Sequence, residues 1–139
     1  METVGRIIGA VRGLCAASAA VLLFSVAPAI ADTSVGGVLS SNTTWTAAGS
    51  PYLVESNVVI NGGAKLTVDA GVVVRFQAGT SLTVQNGALR APGTAAAPVL
   101  FTSWKDVSGD SPSAGDWGGM QFQAATIDAQ TSLDHVTIR

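Results

Sequence analysis

The chain has 139 residues, 47% of them hydrophobic and only 12% charged, with 16 glycines and a formal net charge of −2. That length suits one domain. The acidic balance argues against nucleic acid or an anionic membrane as the main partner.

Residues 1–31 read in the order of an export signal. Arg6 and Arg12 supply a positive start, and an apolar run follows from Gly13 through Val26. Ala27-Pro28-Ala29-Ile30-Ala31 then gives a small-x-small site before Asp32. The run is shorter than the roughly 20 residues a spanning helix needs. Cleavage after Ala31 is the expectation, and retention as an N-terminal anchor is the alternative. Cys15 sits inside the apolar run, after Leu14 and close to Arg12, which is the wrong place for a lipidated cysteine. Removing the signal leaves no cysteine and no transmembrane span. Eight acidic and five basic side chains then remain. An exported domain without disulfides relies on core packing and backbone hydrogen bonds.

From residue 52 on, short apolar alternations recur, separated by Gly, Asn, Asp and Pro. They are 52–54, 58–60, 65–68, 72–76, 81–84, 88–91, 99–103, 119–122 and 133–138. Alternation puts Val72, Val74 and Phe76 on one face, with Val73 and Arg75 on the other. Leu66 and Val68 share a face opposite Thr67, and Leu82 and Val84 share one opposite Thr83. An internal echo relates Gly63–Gly71 to Gly79–Gly87, with Gly, Leu, Thr, Val and Gly at matching places. Such self-similarity marks a solenoid. An antiparallel meander alternates in the same way, and Asn61-Gly62 and Asn86-Gly87 suit its hairpin turns. Periodicity leaves both open.

Several segments together carry a resemblance. They are Asn42-Thr-Thr-Trp45, Ser50-Pro-Tyr52, Ala64–Val68 running into Gly71–Phe76, Ser81–Val84 and Gly87–Ala91. Gly93-Thr94, Ala97–Ser103, Gly115–Gly119 and Leu133–Ile138 complete the set. From about Asn42 the chain resembles the opening of bacterial secreted and surface proteins of the right-handed parallel β-helix type, the pectate-lyase-like superfamily. The resemblance implies an all-β solenoid with three short strands per rung. It groups 58–60, 65–68 and 72–76 as one rung, 81–84, 88–91 and 99–103 as the next, and 118–122 with 133–138 as a third. On that grouping the echo is a likeness between strands and not a full rung. Residues 32–57, with Trp45 and Tyr52, are expected to form an N-terminal cap, and 58–139 an incomplete set of about two and a half coils. Solenoids usually need at least three repeats, so a truncated product or a fragment is expected.

Residues 104–117 form the longest irregular stretch. Asp106, Asp110 and Asp116 are its candidate metal ligands, with Ca²⁺ the cation that carboxylates would suit. Their spacing departs from the usual Ca²⁺ loop pattern, and a solvated loop is the favoured reading, so no cofactor is expected. Trp104 and Trp117 are candidate carbohydrate-stacking side chains, with packing over the solenoid as the alternative for Trp117. Asp134-His135 has the composition of a base and its orienting carboxylate, but neighbouring strand residues point to opposite faces. Asp69, Asp128 and Asp134 are isolated carboxylates. Arg75 and Arg90 are outward bases without acidic neighbours on their strands. No catalytic residue is assigned.

The expected function is an exported β-solenoid scaffold or adhesion segment, located in the medium or at the cell surface. Its expected partner is a polysaccharide or a cell-surface component, and the chain by itself is not expected to be an enzyme. The alternative is the non-catalytic start of a polysaccharide lyase or glycoside hydrolase with its active site in later coils. A third reading is a ligand-binding module built on Trp104 and Trp117.

Overall fold

Alternating apolar residues, broken by Gly and Asn, dictate short strands that turn corners instead of reversing. The computed structural model of the protein describes residues 31–106 and 110–139. The expected export signal lies outside them, apart from Ala31. Eleven strands follow in order: β1 (Thr33–Leu39), β2 (Thr43–Trp45), β3 (Tyr52–Ile60), β4 (Ala64–Val68), β5 (Val73–Phe76) and β6 (Leu82–Val84) come first. β7 (Gly87–Pro92), β8 (Val99–Ser103), β9 (Met120–Phe122), β10 (Ser132–Asp134) and β11 (Val136–Ile138) complete them.

All pairings among the described strands are parallel. The fold is a parallel β-helix, and the meander is excluded: β4 pairs with β2 and β7, not with its sequence neighbour β5. The strands stack in three walls. The first half of β3 lies under β5, which lies under β8 and then β11. The second half of β3 lies under β6 and then β9. β2, β4, β7 and β10 make the third wall. The rung grouping expected for 58–138 is the grouping observed. Leu66 stacks on Leu89, and Leu82 on Val58, so the echo of Gly63–Gly71 in Gly79–Gly87 relates two different walls.

Residues 32–57, expected as a cap, contain strands of their own. β1 pairs with the whole of β3, bending between Val35 and Gly37 where its register shifts. β2 pairs with β4. This segment is therefore a further coil in register with those that follow. Within it, Trp45 stacks on Tyr52 at 5.2 Å between ring centroids. The Tyr52 hydroxyl donates to the Thr46 carbonyl and accepts from the Thr46 N–H.

Corners are made by residues that supply hydrogen bonds or unusual dihedrals. Between the second and third walls, Gly62 and Gly63 adopt φ of 65° and 81°, a region that disfavours a Cβ. Asn42 Oδ1 accepts from the Lys65 N–H and Asn57 Oδ1 from the Ser81 N–H, each joining one coil to the next.

Inward residues form the core. Val54, Val58, Ile60, Leu66, Val68, Val74, Phe76, Leu82, Val84, Leu89, Ala91, Val99 and Phe101 are completely buried. The ladders continue into the last coil, where Phe122, Leu133 and Ile138 face the same interior. There they are 45%, 39% and 53% exposed, since no described residue lies over them. Such an edge carries unpaired strand groups beside apolar side chains.

Candidate functional site

Outward positions on the walls are set by the same parity as the core. On the third wall Thr44, Thr67, Arg90 and Ser132 stand in register, one per coil. On the second wall Val59, Thr83 and Gln121 do the same. On the first, Leu53, Arg75 and Thr102 line up. Parallel strands lie about 4.8 Å apart, so each ladder repeats at that spacing.

From the irregular stretch between β8 and β9, Asp106 and Trp117 pack against residues of the first wall. Thr102, although outward, is completely buried, and its hydroxyl donates to Asp106 Oδ2 at 2.9 Å. The same carboxylate oxygen accepts from an Arg139 guanidinium nitrogen at 2.8 Å. Asp116 accepts from Lys105 Nζ and from the Ser113 N–H, each at 2.8 Å. The Lys105 hydrogen bond, with that backbone N–H, holds the Asp116 carboxyl below the usual carboxylate range.

These contacts place the candidate metal ligands. Asp106 and Asp116 each face their own protein donors, and Asp110 is exposed. Among the described residues no group of three His, Cys, Asp or Glu side chains converges on a metal position.

The two loop tryptophans part company. Trp117 stacks on Phe76 at 4.0 Å with 12° between the rings, and its Nε1–H donates to the Arg139 carbonyl at 2.8 Å. Phe76 pairs across the ladder with the small Ser103, which leaves the space that the indole fills. Trp117 is therefore a packing residue. Trp104 remains 44% exposed, with its backbone N–H donating to the Phe76 carbonyl at 2.9 Å.

Beside Trp104 opens a cleft of about 530 Å³ lined by Asp32, Leu53, Arg75, Gln77, Ala78 and Trp104. Arg75 reaches Asp32 Oδ2 at 3.5 Å. Its Nε–H is buried and finds no hydrogen-bond partner among the described residues. Sequence reasoning marked Trp104 and the outward Arg75, but not Asp32, Leu53, Gln77 or Ala78. An apolar Leu53 at an outward position was the available signal. What hid it is coil length: Leu53 and Arg75 are 22 positions apart, while Arg75 and Thr102 are 27 apart.

The remaining candidates are dispersed. Arg90 is on the third wall and Arg75 on the first. Asp69 lies in the turn after β4, Asp128 in a short 3-10 turn, and Asp134 ends β10. His135 is not within a strand. It turns the corner between β10 and β11 with φ of 48°, and its carbonyl accepts from the Val99 N–H at 3.1 Å.

A pectate-lyase-like β-helix domain is the family whose model matches, over residues 37–135. Neither a curated protein nor a solved structure matches. The matched span takes in most of the parallel coils, and the chain belongs to the pectate-lyase-like β-helix family.

Proposed function

We propose that the chain is an exported β-solenoid scaffold that presents a binding wall, with a polysaccharide or cell-surface component as its partner. One observation carries the reading: the outward ladder Thr44–Thr67–Arg90–Ser132 repeats a polar side chain at every coil. A flat, regular array of hydroxyls around one guanidinium suits an extended partner with its own repeat. It suits bond cleavage poorly, because cleavage of a glycosidic bond by acid–base catalysis needs a pair of carboxylates at a fixed separation. Export rests on the order of charge, apolar run and small residues in 1–31.

The family description supports a second reading. A pectate-lyase-like β-helix domain also suits the non-catalytic start of a polysaccharide lyase or hydrolase. A fold alone does not choose between the two.

Expression of the whole chain in a secreting host tests the first reading. The expected product begins at Asp32, is found outside the cell or on its surface, and adheres to polysaccharide-coated beads without shortening the polymer. Product that keeps Met1 and stays inside would overturn export. Release of shortened polymer would overturn the scaffold reading.

A further inference from the structure

We propose that the cleft beside Trp104 binds a neutral pyranose unit of a saccharide, with the indole under the sugar ring and Arg75 donating to one of its oxygens. The cleft lies on the first wall, apart from the third-wall ladder that carries Arg90, and it rests on the polysaccharide-binding reading only for the class of its ligand.

The cleft has the size of a ligand site, about 530 Å³ against roughly 300–1,000 Å³ for small-molecule pockets generally. Its position follows from the ladders. Leu53 and Arg75 are neighbours on the outer side of the first wall. Gln77 and Ala78 come from the turn that follows β5, and Trp104 from the residue after β8. The turn carrying Trp104 is tied to the coil below by one hydrogen bond and braced internally by two. The Trp104 N–H bonds to Phe76, the Lys105 N–H to Ser103 Oγ, and the Thr102 hydroxyl to Asp106. The backbone is held while the indole stays partly exposed.

No aromatic ring stacks on Trp104 among the described residues, whereas Trp45 and Trp117 each have a partner. An exposed indole beside Leu53 and Ala78 offers an apolar platform to the C–H face of a sugar ring. The polar groups narrow the chemistry further. Arg75 Nε–H is a buried donor without a partner among the described residues, and a buried unpaired donor is unfavourable until something accepts from it. Asp32 is an acceptor, and the Gln77 carboxamide is both donor and acceptor. A ligand that meets all three needs groups that both donate and accept, which hydroxyls do. A carboxylate or phosphate would satisfy Arg75 but face the Asp32 carboxylate. An ammonium group would do the reverse.

The test titrates the full chain with hexasaccharides of glucose, mannose, galactose and xylose, and with a hexagalacturonate, by calorimetry and Trp fluorescence. At least one neutral hexasaccharide should bind saturably and more tightly than the uronate. Trp104→Ala should weaken that binding about tenfold or more, as expected of a central aromatic contact. Trp104→Phe should weaken it less, and Asp32→Asn should raise uronate affinity relative to the neutral sugar. The Trp104 side chain is half-exposed and outside the buried core cluster, so its variants should fold, which an unchanged melting temperature would verify. Binding of no neutral sugar, tighter binding of the uronate, or full affinity in Trp104→Ala overturns the proposal. Adhesion to polysaccharide beads that persists in Trp104→Ala but falls in Arg90→Ala would overturn the cleft alone. Loss of adhesion in neither variant would tell against the binding wall itself.

Discussion

Phe76→Ala should destabilise the protein by about 3–5 kcal/mol, the range for truncating a fully buried phenylalanine. Phe76 is completely buried and sits where two systems meet. Within the solenoid it packs on Phe101 at 6.3 Å between centroids. On its other side it carries the Trp117 indole at 4.0 Å. Truncation therefore opens a cavity in the core and removes the surface on which the Trp117 indole rests. Against a typical domain stability of about 5–15 kcal/mol, that is a large fraction. Chemical denaturation gives the size of the loss. Trp fluorescence gives its location, because Trp117 becomes more exposed and its emission moves to longer wavelength. In a double-mutant cycle, Phe76→Ala and Trp117→Ala should couple by about 0.5–1.5 kcal/mol, as aromatic pairs do. Zero coupling would contradict the role given to Trp117.

Gly87→Val should be nearly as damaging, for the opposite reason. A Cβ at Gly87 would collide with the Ala64 carbonyl oxygen and stand 2.7 Å from Ile60 Cγ2. Ala64 is the in-register partner one coil below, so the obstacle is backbone held in a ladder and cannot rotate away. Overpacking typically costs about 1–3 kcal/mol and occasionally more. Valine should reach the upper end and alanine the lower. Gly36→Ala provides the comparison, since its Cβ first meets the Ser56 hydroxyl, the end of a side chain that can turn. Its melting temperature should fall much less than that of Gly87→Val. Equal losses at the two sites would mean that coil spacing at Gly87 is looser than described.

Gly87 also shows how far the sequence could be read. Asn86-Gly87 has the composition of a hairpin turn, yet Gly87 opens β7 and is small because the chain below passes close. Local composition reports that a residue is glycine, not which neighbour requires it. Parity was legible where strands are short and cleanly alternating. Val72, Val74 and Phe76 are buried, while Val73 and Arg75 are half-covered. Legibility failed at Thr33–Leu39, where Gly36-Gly37 interrupts the alternation at a bend between two walls. That coil consequently read as a cap. The Trp104 cleft was half legible. Trp104 itself stood out as an aromatic in an irregular stretch, but its neighbours come from three other places in the chain. Only the stacking of coils of unequal length brings them together.

The corner at His135 illustrates the same limit. The dipeptide Asp134-His135 carries the composition of an acid–base pair, but the backbone turns there with φ of 48°. Histidine is among the residues that tolerate this region. What the position contributes to the fold is its carbonyl, which accepts from Val99. The imidazole is not needed for that bond.

The coils stack in parallel, so that Thr67 lies beside Arg90 and not opposite a residue of the next strand. Cysteine cross-linking tests it most directly. In a Cys15→Ser background, Thr67→Cys with Arg90→Cys puts two thiols on outward positions of adjacent strands, about 4.8 Å apart, within disulfide reach. Thr67→Cys with Val73→Cys probes the competing hairpin through Asp69–Gly71. In the solenoid these two residues lie on different sheets. Mild oxidation of the folded chain should close the first pair and leave the second reduced. Closure of the 67–73 pair, with the 67–90 pair left open, would contradict the parallel β-helix.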